Sequence, residues 1–251
     1  MIDLRGQAAL ITGGSRGIGR AACLMLARCG ADIAFGYRLN TKAAEQVLAE
    51  IQKLGRKAVA VEGDLSRRKD ADLLVTGALE AYGRLDILVN NHGIWKDGPI
   101  DTMSEDEWDE TLDVNLKGYF LCTRAVVPVM KRQRSGRIIN LASTAGQRGE
   151  ALHSHYAASK GAIISFTKSL GPELCGHGIL VNCVAPGWVD TDMSAEALAG
   201  GDRDRILSTI PMGRPGTPEE IAGGILFFAS PLANYCCGEI LNINGGSVLC
   251  G

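Results

Sequence analysis

Short apolar runs alternate with longer stretches of helical periodicity along the whole chain. The runs fall at residues 8–11, 33–35, 58–61, 85–89, 137–140, 179–182 and 239–243. After the first run, residues 21–27 carry a helical pattern. After the second, Ala44, Val47, Leu48 and Ile51 recur at the spacing of one helix face. Strands separated by helix-length segments predict right-handed crossovers and a parallel sheet. Most of the runs are apolar at successive positions, as strands are when helices cover both faces of a sheet. The expectation is an α/β fold, one doubly wound seven-stranded parallel sheet with helices on both faces, forming a single domain over residues 1–251. No Pro/Ser-rich linker, repeat or low-complexity tract interrupts it. Residues 188–218, rich in Gly, Asp, Met and Pro, form the one irregular region and lie late in the chain, where a substrate lid would sit.

Charge and composition narrow the function. Lys plus Arg number 26 and Asp plus Glu 28, a net charge of −2, which argues against a protein that binds nucleic acid by neutralising phosphates. Hydrophobic residues make up 46% of the chain, enough for a sizeable core, yet no apolar run approaches the ~18 residues of a membrane span and no apolar leader follows Met1. A cytoplasmic protein is expected. The eight cysteines form no C-x-x-C pair and sit mostly in apolar stretches, which predicts buried, reduced thiols. Glycine stands out: 32 residues, nearly twice the usual ~7%, without a collagen period.

Several of those glycines fall directly after the first strand, in Thr12-Gly13-Gly14-Ser15-Arg16-Gly17-Ile18-Gly19, with a helix following. Glycine there lets the backbone approach a pyrophosphate while the helix N-terminus offers N–H groups and partial positive charge. A plain tight turn is the alternative. The second strand ends Gly36-Tyr37-Arg38 without the acid that an NAD site places against the ribose 2′-hydroxyl. Arg38 and Arg16 instead suit a 2′-phosphate, so NADP(H) is expected over NAD(H), unless both are ordinary surface arginines.

The candidate chemistry lies further on. Tyr156 and Lys160 share a helix face at i and i+4. A phenol is a weak acid or base near neutral pH, and a neighbouring ammonium favours its ionised form. Ser143, after the strand at 137–140, is placed to hydrogen-bond a substrate carbonyl. Asn115 interrupts an apolar helical pattern in which Asn is a poor helix former. No metal site is indicated: His153 and His155 have only Glu150 near them in sequence and are taken as cleft-wall or surface residues.

Together these residues resemble the short-chain dehydrogenase/reductase family across essentially the whole chain. The matching pieces are the Thr12-to-Gly19 turn, Asp64, Asn90-Asn91-His92-Gly93, Asn115, Ser143, Tyr156 with Lys160, Pro186-Gly187 and Gly238 to Gly246. The resemblance implies an NAD(P)-binding Rossmann domain in which Tyr156 exchanges a proton with the substrate, Lys160 binds the nicotinamide ribose and tunes Tyr156, Ser143 orients the carbonyl, and Asn115 holds a relay water. It further implies a cofactor site of Gly13, Ser15, Arg16, Gly17, Ile18, Gly19, Tyr37 and Arg38, continued by Asp64 and Leu65 at the adenine and Asn91 and Gly93 at its ribose. Pro186, Gly187, Val189 and Thr191 complete it at the nicotinamide and pyrophosphate. One position departs from the family pattern: His92 stands where Ala is usual. A homotetramer is implied as well.

Within the family, residues 181–193 and 211–222 are most similar to reductases of 3-oxoacyl thioesters carried on acyl carrier protein. That branch implies a thioester carbonyl substrate and an acidic carrier-protein partner. Lys131, Arg132, Arg134 and Arg137 make a candidate docking cluster, or simply complement a helix C-terminus. Pro172 stands where that branch has a basic residue, which weakens the docking reading. Two other functions remain open here: an NAD(P)-dependent sugar or alcohol dehydrogenase, and a non-catalytic dinucleotide sensor.

Overall fold

The computed structural model describes residues 2–249. Seven parallel strands form one sheet in the order β3-β2-β1-β4-β5-β6-β7. They are β1 (Ala8–Thr12), β2 (Asp32–Tyr37), β3 (Ala58–Glu62), β4 (Ile87–Asn90), β5 (Gly136–Leu141), β6 (Ile179–Pro186) and β7 (Ile240–Ile243). The helices are α1 (Gly17–Arg28), α2 (Thr41–Lys53), α3 (Arg68–Tyr82), α4 (Glu105–Leu112), α5 (Gly118–Gln133), α6 (Ala145–Arg148), α7 (Ser154–Cys175), α8 (Ala195–Ala199), α9 (Arg203–Ser208) and α10 (Pro218–Ala229). This is the expected doubly wound Rossmann arrangement.

Strand alternation divides the core into two layers. Ala9 and Ile11 of β1, Ile87 and Val89 of β4, and Ile139 and Leu141 of β5 pack with α1, α2 and α10. Leu10, Leu88 and Ile138 point the other way, onto α3 and α5. Both sets are buried, which explains why the sequence shows continuous apolar runs rather than alternation. Helix starts follow local chemistry: Asn40 caps α2, and Ser104 with Glu107 and Thr217 with Glu220 form capping boxes at α4 and α10.

Some boundaries move for identifiable reasons. β4 begins two residues later than the apolar run at 85–89, because the Gln133 side chain takes both backbone groups of Leu85 (3.1 and 2.7 Å). β6 continues four residues past Asn182, whose amide is satisfied sideways by the Cys236 carbonyl and the Glu239 N–H (2.9 and 3.0 Å), so a polar residue does not end the strand. Residues 188–218 are more regular than expected: they hold α8 and α9, bury Ile206 and Ile210, and pair Val189 with Gly216. Asn115 lies not in ordinary α-helix but in a π-helical turn, Asp113–Lys117, between α4 and α5.

The thiols divide. Cys23, Cys122 and Cys183 are buried, and burial pushes the last two up to about 12, while Cys175 and Cys237 are exposed, contrary to the expectation of buried cysteines. Cys250 lies outside the described residues. Arg137 is no part of a helix-end cluster: it belongs to β5 and reaches the Phe228 carbonyl (3.3 Å) and the Asn234 side chain. No described helix is long and apolar enough to cross a membrane.

Candidate active site

Strand order reverses between β1 and β4, and at that point a crevice opens outside the carboxyl ends of the strands. Thr12 holds its two walls together. Its hydroxyl accepts the N–H groups of Asn91 and His92 (2.8 and 3.2 Å), while the Asn91 amide donates to the carbonyls of Thr12 and Gly13 (2.9 and 3.2 Å). The turn into α1 needs its glycines. A Cβ on Gly19 would stand 2.1 Å from the Gly13 carbonyl oxygen, and Gly13 itself has φ +67°. No side chain caps α1 at Arg16, so its first N–H groups remain available to an anion in the cleft.

The cleft, about 410 Å³, runs from this turn to Tyr156. Of the catalytic and cofactor-site residues expected from sequence, all but Gly19 and Asn115 line it. Gly19 sits behind Gly13 and Asn91. Asn115 is fully buried and spends its side chain on structure: Oδ1 accepts from the Ile94 N–H (2.8 Å), and Nδ2 donates to the Ile94 carbonyl and the Ser159 hydroxyl (2.9 and 3.2 Å). At the end nearer the glycine turn, Arg38 lies 3.5 Å from Asp64 and Arg16 lies 3.8 Å from Asp192, all four in the cleft lining. Burial would raise the Asp64 carboxyl, but the Ser66 hydrogen bonds and the charges of Arg38 and Arg67 outweigh it and hold the group below its usual range.

At the other end Ser143, Tyr156 and Lys160 converge. Ser143 follows β5 and its hydroxyl lies within hydrogen-bonding reach of Tyr156; Tyr156 and Lys160 project from the first turns of α7. The Lys160 ammonium donates to the Leu141 carbonyl (2.9 Å) and sits 5.4 Å from the Tyr119 ring centroid and 5.7 Å from that of Tyr156. Burial pushes Lys160 down to about 8 and Tyr156 up to about 12, the Ser143 hydrogen bond opposing the latter. The phenol therefore holds its proton at neutral pH, as an acid must. The close approach of α6 to α7 depends on Gly146, where a Cβ would lie 2.4 Å from the Lys160 carbonyl carbon.

His92 fills the space next to this group. Its Nδ1 meets the Thr12 hydroxyl (2.8 Å) and its ring tilts against Tyr119 at 4.9 Å. A Cβ on Gly118 would come within 2.3 Å of Nε2, so the larger side chain fits because residue 118 is glycine. Burial, then the Lys160 charge, push the imidazole down to about 3; it is neutral and no base near pH 7. His155 is buried, not a surface residue. Among the described residues no group of three His, Cys, Asp or Glu side chains is placed to hold a metal.

Sequence reading missed the residues that place these groups. Asn90 donates to Asn140 and Thr123 (2.9 and 3.0 Å), and Asn140 donates to Thr167 of α7 (2.9 Å), a buried ladder from β4 through β5 to the helix bearing Tyr156. Asparagines inside apolar strands were the available signal, since a buried amide needs partners. Also missed were Trp95, Trp188 and Glu150, which line the cleft beside Tyr156.

A crevice at the switch point of a doubly wound sheet, with a serine, a tyrosine and a lysine at one end, is the arrangement of an oxidoreductase of that class. The comparisons agree. A profile described as short chain dehydrogenase matches residues 7–200, and the chain belongs to that family. It is 42% identical to a 3-oxoacyl-[acyl-carrier-protein] reductase of Synechocystis sp. over 250 residues, 99% of this chain and 100% of the other. It is 40% identical to reductases of the same name from Staphylococcus epidermidis and Staphylococcus aureus over 240 residues, 96% of this chain and 98% and 97% of theirs. The chain is thus an oxidoreductase acting on CH–OH groups.

Gly146→Ala tests the packing that joins the two halves of the site. Forcing α6 off α7 moves Ser143 from Tyr156 and lowers kcat by about 10²-fold, the scale of a ~1 Å misplacement. Affinity for the nicotinamide dinucleotide, measured by fluorescence titration, changes little.

Proposed function

We propose that the chain is an NADPH-dependent reductase of 3-oxoacyl thioesters, forming the 3-hydroxyacyl product. The observation that carries this reading is the convergence of Ser143, Tyr156 and Lys160 at the crevice, taken with relatives that bear the name of that reaction along nearly their whole length. The cofactor, when bound, supplies hydride to the carbonyl carbon. The uncapped start of α1, the Gly13–Gly19 turn and Asn91 suit its pyrophosphate and ribose, and Lys160 faces the nicotinamide end.

In this reading Ser143 donates a hydrogen bond to the substrate carbonyl and orients it. As charge develops on that oxygen, Tyr156 Oη gives up its proton to form the hydroxyl. The Lys160 ammonium lowers the cost of the phenolate left behind. Asn115 fixes the Ile94 backbone and Ser159, which keeps Lys160 in place, and its main chain is the group left for the relay water. Asp64 and Leu65 meet the adenine, Gly93 its ribose, and Pro186, Gly187, Val189 and Thr191 border the nicotinamide. One domain carries the whole site, with residues 188–218 as its lid.

Preference for NADP(H) rests on Arg38 and Arg16. Their contacts with Asp64 and Asp192 are long (3.5 and 3.8 Å) and both guanidiniums are more than half exposed, so both cations can turn to a 2′-phosphate. Lys131, Arg132 and Arg134, at the end of α5, are the basic group that would meet an acidic acyl carrier protein. The family resemblance adds a cytoplasmic homotetramer.

NADPH oxidation with acetoacetyl-CoA, set beside NADP reduction with a panel of sugars and alcohols, tests the proposal. Thioester turnover that falls by at least about 10²-fold in Tyr156→Phe, with NADPH still bound, supports it. Turnover of a sugar or polyol alone moves the chain to the dehydrogenase branch, and binding without turnover leaves a sensor. In Arg38→Asp the NADPH/NADH ratio of kcat/KM drops by roughly tenfold or more, the worth of one lost charged contact; an unchanged ratio contradicts the cofactor assignment. Lys160 is charged below about 8 and neutral above. The rate of reduction therefore falls as pH rises through that value, and a profile still level a full unit higher contradicts the role given to Lys160.

A further inference from the structure

We propose that Trp95 decides which acyl groups the cleft accepts: its indole, fixed by His153 and Glu150, forms with Trp188 the wall against which the chain beyond the reacting carbonyl packs. This rests on the reductase reading above and deepens it, naming as substrates 3-oxoacyl groups with an apolar chain or ring at that position.

Three neighbours hold the indole. The His153 ring lies flat on it, centroids 4.4 Å apart and planes 3° from parallel. His153 in turn is only 8% exposed and has Nε2 2.9 Å from the Asp97 carboxylate. The Glu150 carboxyl, 22% exposed, is within hydrogen-bonding reach of the Trp95 side chain. Trp188, just past β6, meets Trp95 edge to face at 5.8 Å and 84°. Backbone bonding ties the two loops together, with the Gly98 N–H on the Leu152 carbonyl (2.7 Å) and a bridge between Gly98 and His153.

The Glu150 charge bears on Tyr156, but the two indoles and the His153 ring carry no proton to the substrate, and Trp95 and Trp188 line the same cleft as Ser143 and Tyr156. Ile94 and Met193 extend the apolar lining beside them. Two indoles at right angles present a corner of large, rigid area, and an indole already immobilised loses little freedom when a ligand packs on it. A polyhydroxylated substrate would leave hydroxyls against that corner, whereas an alkyl or aryl group fills it. Glu150 and His153 act through Trp95 and are positioning residues.

The test is kcat and KM for the N-acetylcysteamine thioesters of acetoacetate, 3-oxooctanoate and benzoylacetate, with NADPH affinity followed by fluorescence. In Trp95→Ala, KM for the two bulkier substrates rises about tenfold or more relative to acetoacetyl, the scale of a lost apolar contact, while kcat and NADPH affinity move less. Trp95→Phe recovers most of the preference. Glu150→Gln, which keeps an acceptor for the indole, stays near wild type, and Glu150→Ala follows Trp95→Ala part of the way. Should Trp95→Ala fail to fold, Trp95→Phe and Glu150→Ala carry the same comparison. An active wild type whose KM ratios are unmoved by these substitutions, or that loses all three substrates equally, overturns the inference alone. A wild type inert on every thioester overturns the reductase reading with it.

Discussion

A lysine buried to 4% exposure makes strict demands on its surroundings, and those around Lys160 organise the site. Taking an ammonium out of water costs several kcal/mol unless partners replace the solvent. Here the Leu141 carbonyl accepts at 2.9 Å, and the faces of Tyr119 and Tyr156 lie within cation–π distance. Leu141 is the last residue of β5, and its carbonyl also accepts from the Tyr119 hydroxyl at 3.2 Å. The compensation is incomplete, and the ammonium is left far more acidic than a surface lysine. On the proposed mechanism that residual charge lies beside the phenol that must surrender a proton.

Holding Lys160 there requires α7 to sit in one place over the sheet. The Asn90–Asn140–Thr167 ladder sets the helix laterally, and the Gly146 contact lets α6, and with it Ser143, close on its first turns. The π-helical turn at Asp113–Lys117 puts Asn115 deep enough to bind Ile94 and Ser159 at once. π-Helical turns are rare and tend to mark functional segments. His92 and Gly118 form a further matched pair: the imidazole occupies volume that opens only because its neighbour lacks a Cβ. The end of the cleft at the glycine turn is looser by comparison, with Arg16 and Arg38 more than half exposed and in long pairs.

Much of this was legible in the chain. Apolar runs located every strand, because buried parallel strands must be apolar throughout, and the glycine turn, Ser143, Tyr156 and Lys160 stood out by spacing and residue type. What sequence concealed was tertiary. The start of β4 depends on a Gln133 side chain contributed from α5, and the length of β6 on what Asn182 finds across the sheet edge. Arg137 read as one of a basic cluster because sequence proximity hides that a strand carries it to α10. Trp95 is separated along the chain from Glu150 and His153 by α4, α5, β5 and α6, and only the fold brings them together. Asn115 read as an interruption of a helical pattern, but the π-helical turn it lies in is visible only in the backbone.

In the proposed reaction the 3-oxo carbon of the thioester receives hydride from NADPH while Tyr156 supplies the proton. The direct measurement is to reduce acetoacetyl-CoA with NADPH deuterated at the transferable hydrogen and locate the label in the product. Deuterium is expected on the carbon bearing the new hydroxyl, with a slowed rate relative to unlabelled NADPH when chemistry limits turnover, and turnover at least about 10²-fold lower in Tyr156→Phe. Product lacking the label at that carbon, or formed equally well without the tyrosine hydroxyl, would contradict it.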